Sequence, residues 1–500
     1  FAPGWALADE PYPVLLVPGA GVSSSGVMPA LARSLAADGR SVFAVTFAHP
    51  HGDCYQQAEQ VANAIARILE VTGADKVDLI GHSKGGIAAA IYLSNHPGAD
   101  WGAHDDDRGA RYASRGTPYR GDARRFITSG TPLGGEDTVF RWTSQHIYTG
   151  QGEDPLVASP WETYYPYTTA NLLVSEDLTA VDIWPDGGDA WPGQRQLVRD
   201  WEGTFGLPGE DLLLGVYALQ QDWWTTYHGG LGFVSYARGL DDAVDESGRL
   251  LDKLHAAGLD PDVELAVLAG TNPLIWIDGR ETLVDVWGEG LVDFLGQSSG
   301  FYTTFLGEVI EPRFPGFELT EEEQFGVTQG HLLFGEISGQ SDGVIFTASA
   351  SDYTGLLSRG ATLLETREAD LAHMDLIFAG EEMGQWLIDQ GNADDQQRHL
   401  RALGERYLAE DTFGWYDEIL GHSTGPGDDD TGDDDTAGDD DSGDDDDSGD
   451  DDTDDPAGDD DDPFAGDCDC QASTAPGRTT ATGSLLALFG LTILGRRRRA

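Results

Sequence analysis

Cysteine and long apolar runs are both scarce in this 500-residue chain. Cys54 stands alone in the main part of the chain, and Cys468 and Cys470 lie near its end. A disulfide framework that holds the core together is therefore excluded. The apolar run that ends near residue 494 covers about a dozen residues, whereas a stable membrane-spanning helix needs about 20. It is too short to be expected to span a bilayer.

Lysine is almost as rare, because Lys76, Lys84 and Lys253 are the only three in the chain. The net charge is −59, and 22 aspartates lie between residues 428 and 462. Such a chain repels phosphate, so a nucleic-acid partner is not expected. An acidic, lysine-poor surface fits either adaptation to salt or a GC-rich genome, and the composition does not separate the two.

The most informative stretch is 77–92, which reads as a buried strand, a sharp turn and a small-residue helix. Gly81, Ser83 and Gly85 form the pattern G-x-S-x-G at the turn. A strained turn of this kind lifts a serine hydroxyl out of the sheet to where a base can reach it. We interpret Ser83 as a nucleophile, and the alternative is a plain glycine-rich turn.

Strand-like and helical segments alternate on both sides of this stretch. The pattern predicts strands and helices at 12–18, 27–38, 41–47, 55–71, 125–129, 263–269, 361–366 and 380–420. This alternation predicts an α/β fold, with a mostly parallel sheet and helices on both faces. The site is expected at the carboxyl ends of the strands.

Breaks in the alternation divide the chain into parts. We predict a core in two halves, at 1–136 and 261–423, with an insertion at 274–338 in the second half. A large cap insertion occupies 137–260, a disordered Asp-rich linker 424–467 and a C-terminal tail 468–500. The first insertion is rich in tryptophan and tyrosine, which suits a cover over a substrate with apolar parts. Alternatively, these aromatics form the insertion's own core.

A nucleophilic serine needs a histidine base, and His373 is the best candidate among 12 histidines. It follows the last predicted strand, where this fold delivers its base. His82 is expected to be turned away by the backbone of the elbow. His399 lies in a polar helical run, and His422 adjoins the Asp-rich linker.

The acid that orients the histidine is expected between the serine and the histidine in chain order. Asp342 lies in the turn Gly-Gln-Ser-Asp-Gly-Val, about 30 residues before His373. The alternative is Asp278, which is closer to the preceding strand.

The oxyanion hole of such a site uses two backbone N–H groups. Lys84, which follows the nucleophile, and Ala20, in the loop after the first strand, are the expected donors. Because these donors belong to the main chain, we expect the side chains at both positions to be only loosely constrained.

No cofactor or metal is expected. The acidic and histidine residues at 104–107 have no spacing diagnostic of metal ligands, and we read them as a solvated loop. The Asp-rich linker lacks the regular spacing and glycine turn of a calcium loop, so a solvated spacer is the preferred reading over a calcium site.

The segments Pro-Val-Leu-Leu-Val-Pro-Gly-Ala-Gly, Gly-His-Ser-Lys-Gly-Gly, Gly-Thr-Pro-Leu-Gly-Gly and Ser-Asp-Gly-Val resemble those of α/β-hydrolase lipases, particularly bacterial class 2 triacylglycerol lipases. The first loop is also similar to that of fungal lipases with Pro-Gly in the oxyanion segment. The resemblance covers 12–135 well and 262–380 in pieces. It implies an α/β-hydrolase fold and a lipid or other ester substrate, while the long insertions leave the substrate open.

The end of the chain resembles the MYXO-CTERM class of bacterial sorting tails. It places an acidic spacer before Cys468-Asp469-Cys470, a short apolar run and four terminal arginines. The resemblance implies an exported protein held or processed at the cell surface. Because the chain begins at Phe1 rather than methionine, we expect a signal peptide to have been removed.

Overall fold

A computed structural model describes most of the predicted core and little of the insertions. The described residues are 10–101, 116–138, 196–206, 249–276, 317–329 and 331–421, together with short pieces at 163–164, 193, 228, 230–231, 236–237, 240 and 244. Most of the cap insertion, Asp278, residues 104–107, His422, the Asp-rich linker and the tail lie outside them. The predicted domain boundaries therefore stay predictions.

The centre of the molecule is a six-stranded sheet in which every paired strand runs parallel to its neighbour. Its strands, in chain order, are β1 Val14–Val17, β2 Val42–Ala44, β3 Val77–His82, β4 Ala123–Ser129, β5 Glu264–Gly270 and β8 Thr362–Ala369. Across the sheet the order is β8-β5-β4-β3-β1-β2. The predicted parallel sheet is confirmed, and the last strand extends three residues further than the sequence predicted.

Helices cover both faces of this sheet, as an α/β fold requires. The helices, in chain order, are α1 Ser24–Val27, α2 Pro29–Ala37, α3 Cys54–Thr72, α4 Lys84–Leu93, α5 Leu250–Ala257, α6 Glu321–Gln329, α7 Thr347–Ala350, α8 Glu381–Ala393, α9 His399–Glu410 and α10 Thr412–Leu420. The single helical stretch predicted at 380–420 is thus three helices.

Alternate residues of each central strand enter two separate cores. In β1, Leu15 and Val17 pack with α3 and α4, whereas Val14 and Leu16 pack with α2 and the C-terminal helices. Because side chains alternate across a strand, a strand covered on both faces must be apolar throughout. This explains why β1 reads as an unbroken apolar run, whereas β3 also carries the buried Asp78, which is paired with Arg124.

Within the described residues, two short antiparallel sheets lie outside the main sheet. β6, Leu274–Trp276, pairs with β7, Leu332–Phe334, at the two ends of the second predicted insertion. Small strands at 163–164, 230–231 and 236–237 pair within the region predicted as a cap. Among the described residues no helix is long and apolar enough to cross a membrane.

Candidate active site

Ser83 lies at the turn between β3 and α4, in a backbone conformation that residues other than glycine rarely adopt. Its φ is 53° and its ψ is −135°. The turn is possible because glycines flank it: a Cβ atom on Gly85 would collide with the carbonyl oxygens of Val17 and Pro18. Strained positions of this kind persist only where close packing determines them, and they cluster at functional sites.

The loop after β1, residues 18–21, passes directly against the serine. A Cβ atom built on Gly19 would lie 3.2 Å from Ser83 Oγ. Ala20 follows in this loop, and Lys84 is the first residue of α4. Both expected oxyanion donors therefore belong to segments that adjoin Ser83, and their catalytic role stays a prediction.

The expectation that the side chain of Lys84 is loosely constrained is wrong. The side chain is buried, and its Nζ donates hydrogen bonds to the Gly52 carbonyl, at 2.7 Å, and to Gln57 Oε1. Sequence reasoning missed this because the partners lie about 30 residues away, in the loop before α3 and in its first turn, whose positions only the fold determines.

His373 and Asp342 form a buried pair at the carboxyl edge of the sheet. Nδ1 of His373 lies 2.7 Å from Asp342 Oδ2, and the His373 backbone N–H donates to the Asp342 carbonyl at 2.9 Å. A carboxylate can only accept, so Nδ1 carries the proton and Nε2 keeps its lone pair. The histidine is thereby oriented to act as a base through Nε2.

The other oxygen of Asp342 is held by its own turn. Oδ1 accepts hydrogen bonds from the backbone N–H groups of Val344, at 2.9 Å, and Ile345, at 2.6 Å. The turn also closes through a bond from the Asp342 N–H to the Ile345 carbonyl at 3.0 Å. A fully buried carboxylate with this many donors stays fixed toward His373.

The strand β4 connects this pair to the serine. The Ser83 N–H donates to the Ser129 carbonyl at 2.9 Å, and the next residue, Gly130, lies against the pair. A Cβ atom there would come within 3.1 Å of both Asp342 Oδ2 and His373 Nδ1. Within the described part of the chain, neither Ser83 Oγ nor His373 Nε2 has a hydrogen-bond partner, so no hydrogen bond joins these two atoms.

His82 is a site residue that sequence reasoning dismissed. Its ring lies 4.7 Å from the ring of His373, and its Nε2 donates to the His373 carbonyl at 3.0 Å. Burial, with a smaller effect of His373, lowers the pKa of His82 to about 3, so the ring stays neutral. The signal available in the sequence was its place beside Ser83, but its partner is 291 positions away.

The loop that carries His373 is also held by Asp375. Its buried carboxylate accepts hydrogen bonds from the Tyr407 hydroxyl, at 2.6 Å, and from the Ala372 N–H. Burial raises the pKa of Asp375 to about 6. The loop is thus joined to α9, which the sequence pattern did not indicate.

The remaining candidates are Asp278, residues 104–107, His422 and His399. Asp278, residues 104–107 and His422 lie outside the described residues. His399 is buried and stacks on His331, with ring centroids 4.7 Å apart. No cluster of three or more metal-ligating side chains occurs within the described residues.

The parallel sheet, the strained serine turn between β3 and α4, and the order of the three residues along the chain define an α/β-hydrolase fold. No family model matches the chain, and no curated protein matches it.

Several solved structures are similar to this chain at low sequence identity. The mature lipase BlEst2 from Bacillus licheniformis is 15% identical, with 75% of this chain and 94% of that chain covered and a TM-score of 0.28. Lipase 1 from Pelosinus fermentans is 12% identical, with 73% and 93% covered and a TM-score of 0.36. EstA from Clostridium botulinum is 13% identical, with 74% and 84% covered and a TM-score of 0.31. At this similarity they carry no information about the activity of this chain.

Proposed function

We propose that this chain is a serine carboxylic-ester hydrolase, most closely of the triacylglycerol lipase type. The observation that carries the proposal is the buried Asp342–His373 pair, 2.7 Å apart, beside a serine in a strained strand-to-helix turn. A surface-tethered binding protein that kept the fold without the activity would have no need for this arrangement.

In the proposed reaction Ser83 Oγ attacks the ester carbonyl while His373 Nε2 takes its proton. Asp342 keeps the proton of Nδ1 in place and stabilises the imidazolium that forms. The N–H groups of Ala20 and Lys84 stabilise the negative oxygen of the tetrahedral intermediate. His373 then returns the proton to the leaving alcohol, and water releases the acyl group from Ser83. The reaction needs no cofactor.

The test is hydrolysis of p-nitrophenyl esters with acyl chains from C2 to C16, with Ser83→Ala alongside. We expect turnover in the wild type and a loss of about 10⁴-fold or more in the variant, because the nucleophile is removed. Ser358→Ala is the matched control: this exposed serine precedes β8, at the opposite edge of the sheet.

The chain-length profile decides the substrate class. Activity that rises toward C16 supports a lipase, and activity confined to short chains moves the proposal to an esterase or polyester depolymerase. If no ester gives Ser83-dependent turnover, the catalytic proposal fails and the binding-protein alternative takes its place.

We also propose that the protein is exported and held at the cell surface through residues 468–500. Support comes from the order of the acidic spacer, cysteine motif, apolar run and arginines in the sequence. Deleting 424–500 is expected to move the protein from the envelope fraction to the medium without changing ester hydrolysis.

A further inference from the structure

One of the three lysines in the chain is buried beside the nucleophile. The Lys84 side chain is 1% exposed, and burial lowers the pKa of its ammonium group. Burying an ammonium group costs several kcal/mol unless its protons are hydrogen-bonded. Here Nζ donates to the Gly52 carbonyl and to Gln57 Oε1. Such charge-assisted bonds are stronger than neutral ones, so they fix the positions of both acceptors.

Gln57 transmits this restraint to the loop before α3. Its Nε2 donates to the carbonyls of His49, at 2.8 Å, and Pro50, at 3.3 Å. The ring of His51 in this loop lies against Gly21, where a Cβ atom would come within 3.0 Å of Cε1. Residues 49–57 therefore support the loop that carries Ala20.

A piece of the predicted cap insertion is attached to the same loop. The Gly193 N–H donates to the His51 carbonyl at 3.0 Å, and a Cβ atom on Gly193 would lie 2.6 Å from Lys84 Nζ. Gln196 Oε1 accepts from the Cys54 N–H at 2.7 Å, and its Nε2 donates to Asp53 at 2.5 Å. Gly193 therefore packs against the buried ammonium group, and Gln196 is bonded to the segment that this group holds.

We propose that Lys84 is a positioning residue whose ammonium group holds residues 49–57, and through them the loop of Ala20 together with Gly193 and Gln196, in place around Ser83. This inference rests on the proposed hydrolase function. Backbone donors stabilise an oxyanion only when they are already in place before the reaction. A displacement of about 1 Å costs about 100-fold in rate.

The test is Lys84→Met, which keeps the length of the side chain and the backbone N–H but removes the donors. We expect kcat on a short p-nitrophenyl ester to fall by about 10- to 100-fold while KM changes by less than about 3-fold. The rate at which a p-nitrophenyl phosphonate labels Ser83 should fall by a similar factor. Lys253→Met is the matched control and should leave both rates unchanged.

Because Lys84→Met removes buried hydrogen bonds, all rates are measured below its melting temperature and per folded molecule. Gln57→Met removes the acceptor of the Lys84–Gln57 hydrogen bond and leaves the lysine in place. The two single variants and the double variant together form a double-mutant cycle. Non-additive losses in kcat support the link, because the two residues act through one contact. Wild-type kcat in folded Lys84→Met, or fully additive effects, would overturn the inference.

The outcomes separate this inference from the proposed function. Ser83-dependent turnover with an unaffected Lys84→Met variant removes the inference alone. Absence of Ser83-dependent turnover in the wild type removes the proposed function and the inference with it.

Discussion

Around Ser83 the backbone is held by steric contact, whereas around His373 it is held by hydrogen bonds. On the serine side, Gly85 lets α4 lie against the carbonyl oxygens after β1, and no side chain fits between them. On the histidine side, Asp342, His82 and Asp375 each hydrogen-bond the loop or the ring of His373.

Because of this difference, the two sides should respond differently to substitution. Close packing of this kind requires glycine at the position, because a single added methyl group would clash with the opposing backbone. A set of hydrogen bonds from separate partners is weakened in steps, because each partner can be removed while the others remain. Substitution of a closely packed glycine such as Gly85 should therefore reduce stability, whereas loss of one hydrogen-bonding partner of His373 or of its loop should reduce the rate.

The largest expected effect on the histidine side is that of Asp342→Asn. The amide presents the wrong hydrogen-bonding group to Nδ1 of His373, and loss of the correct tautomer costs about 10⁴-fold in kcat in comparable triads. The measurement is kcat for p-nitrophenyl ester hydrolysis. Asp278→Asn is the control, and a comparable loss there with normal activity in Asp342→Asn would reassign the acid.

On the serine side, Gly85→Ala is expected to destabilise the fold by about 1–3 kcal/mol, because the new methyl group forces α4 away from the backbone after β1. Urea unfolding measures the change. Gly203→Ala places a methyl group in open space and should change stability by less than about 0.5 kcal/mol. Equal effects of the two substitutions would contradict a steric origin.

His82→Phe is expected to lower kcat by about 10-fold with little change in KM, because the His373 carbonyl loses its donor while a ring remains beside His373. His82→Gln keeps an N–H donor and should recover part of the loss. If the two variants have the same kcat, the hydrogen bond at 3.0 Å does not position the base.

The smallest effect expected is on the pH dependence of stability. Burial lowers the pKa of His82 to about 3 and that of His399 to about 4. As the pH falls below about 6.5, the unfolded chain binds protons that the folded chain excludes, so stability is lost toward these pKa values. Either residue changed to Gln should flatten the fall in melting temperature between pH 6.5 and 4, and an unchanged slope would argue against it.

The fold could be predicted from the sequence because its signals are local. The doubly covered strands read as apolar runs, and the turn at Ser83 is specified by glycines two residues to either side. The meeting of Asp342 with His373 could be anticipated from chain order, while their catalytic roles stay predictions.

The contacts that could not be predicted join segments far apart in the chain. His82 meets a residue 291 positions later, and Lys84 meets Gln57, 27 positions earlier in the first turn of α3. Neither residue type indicates such a partner, since histidine and lysine are usually found at least partly exposed. Only the packed fold brings these partners within hydrogen-bonding distance.

The positive φ of Ser83 places catalysis and stability in opposition at a single residue. Glycine adopts such a backbone conformation without the strain of about 1–3 kcal/mol that other residues incur. The greater conformational freedom of glycine in the unfolded chain lowers the stability of the folded state by only about 0.4–1 kcal/mol. The inactive Ser83→Gly protein should therefore be more stable than the wild type. Under the proposed function, selection for stability alone would remove the serine, and the chemistry proposed for Ser83 accounts for its presence in this strained position.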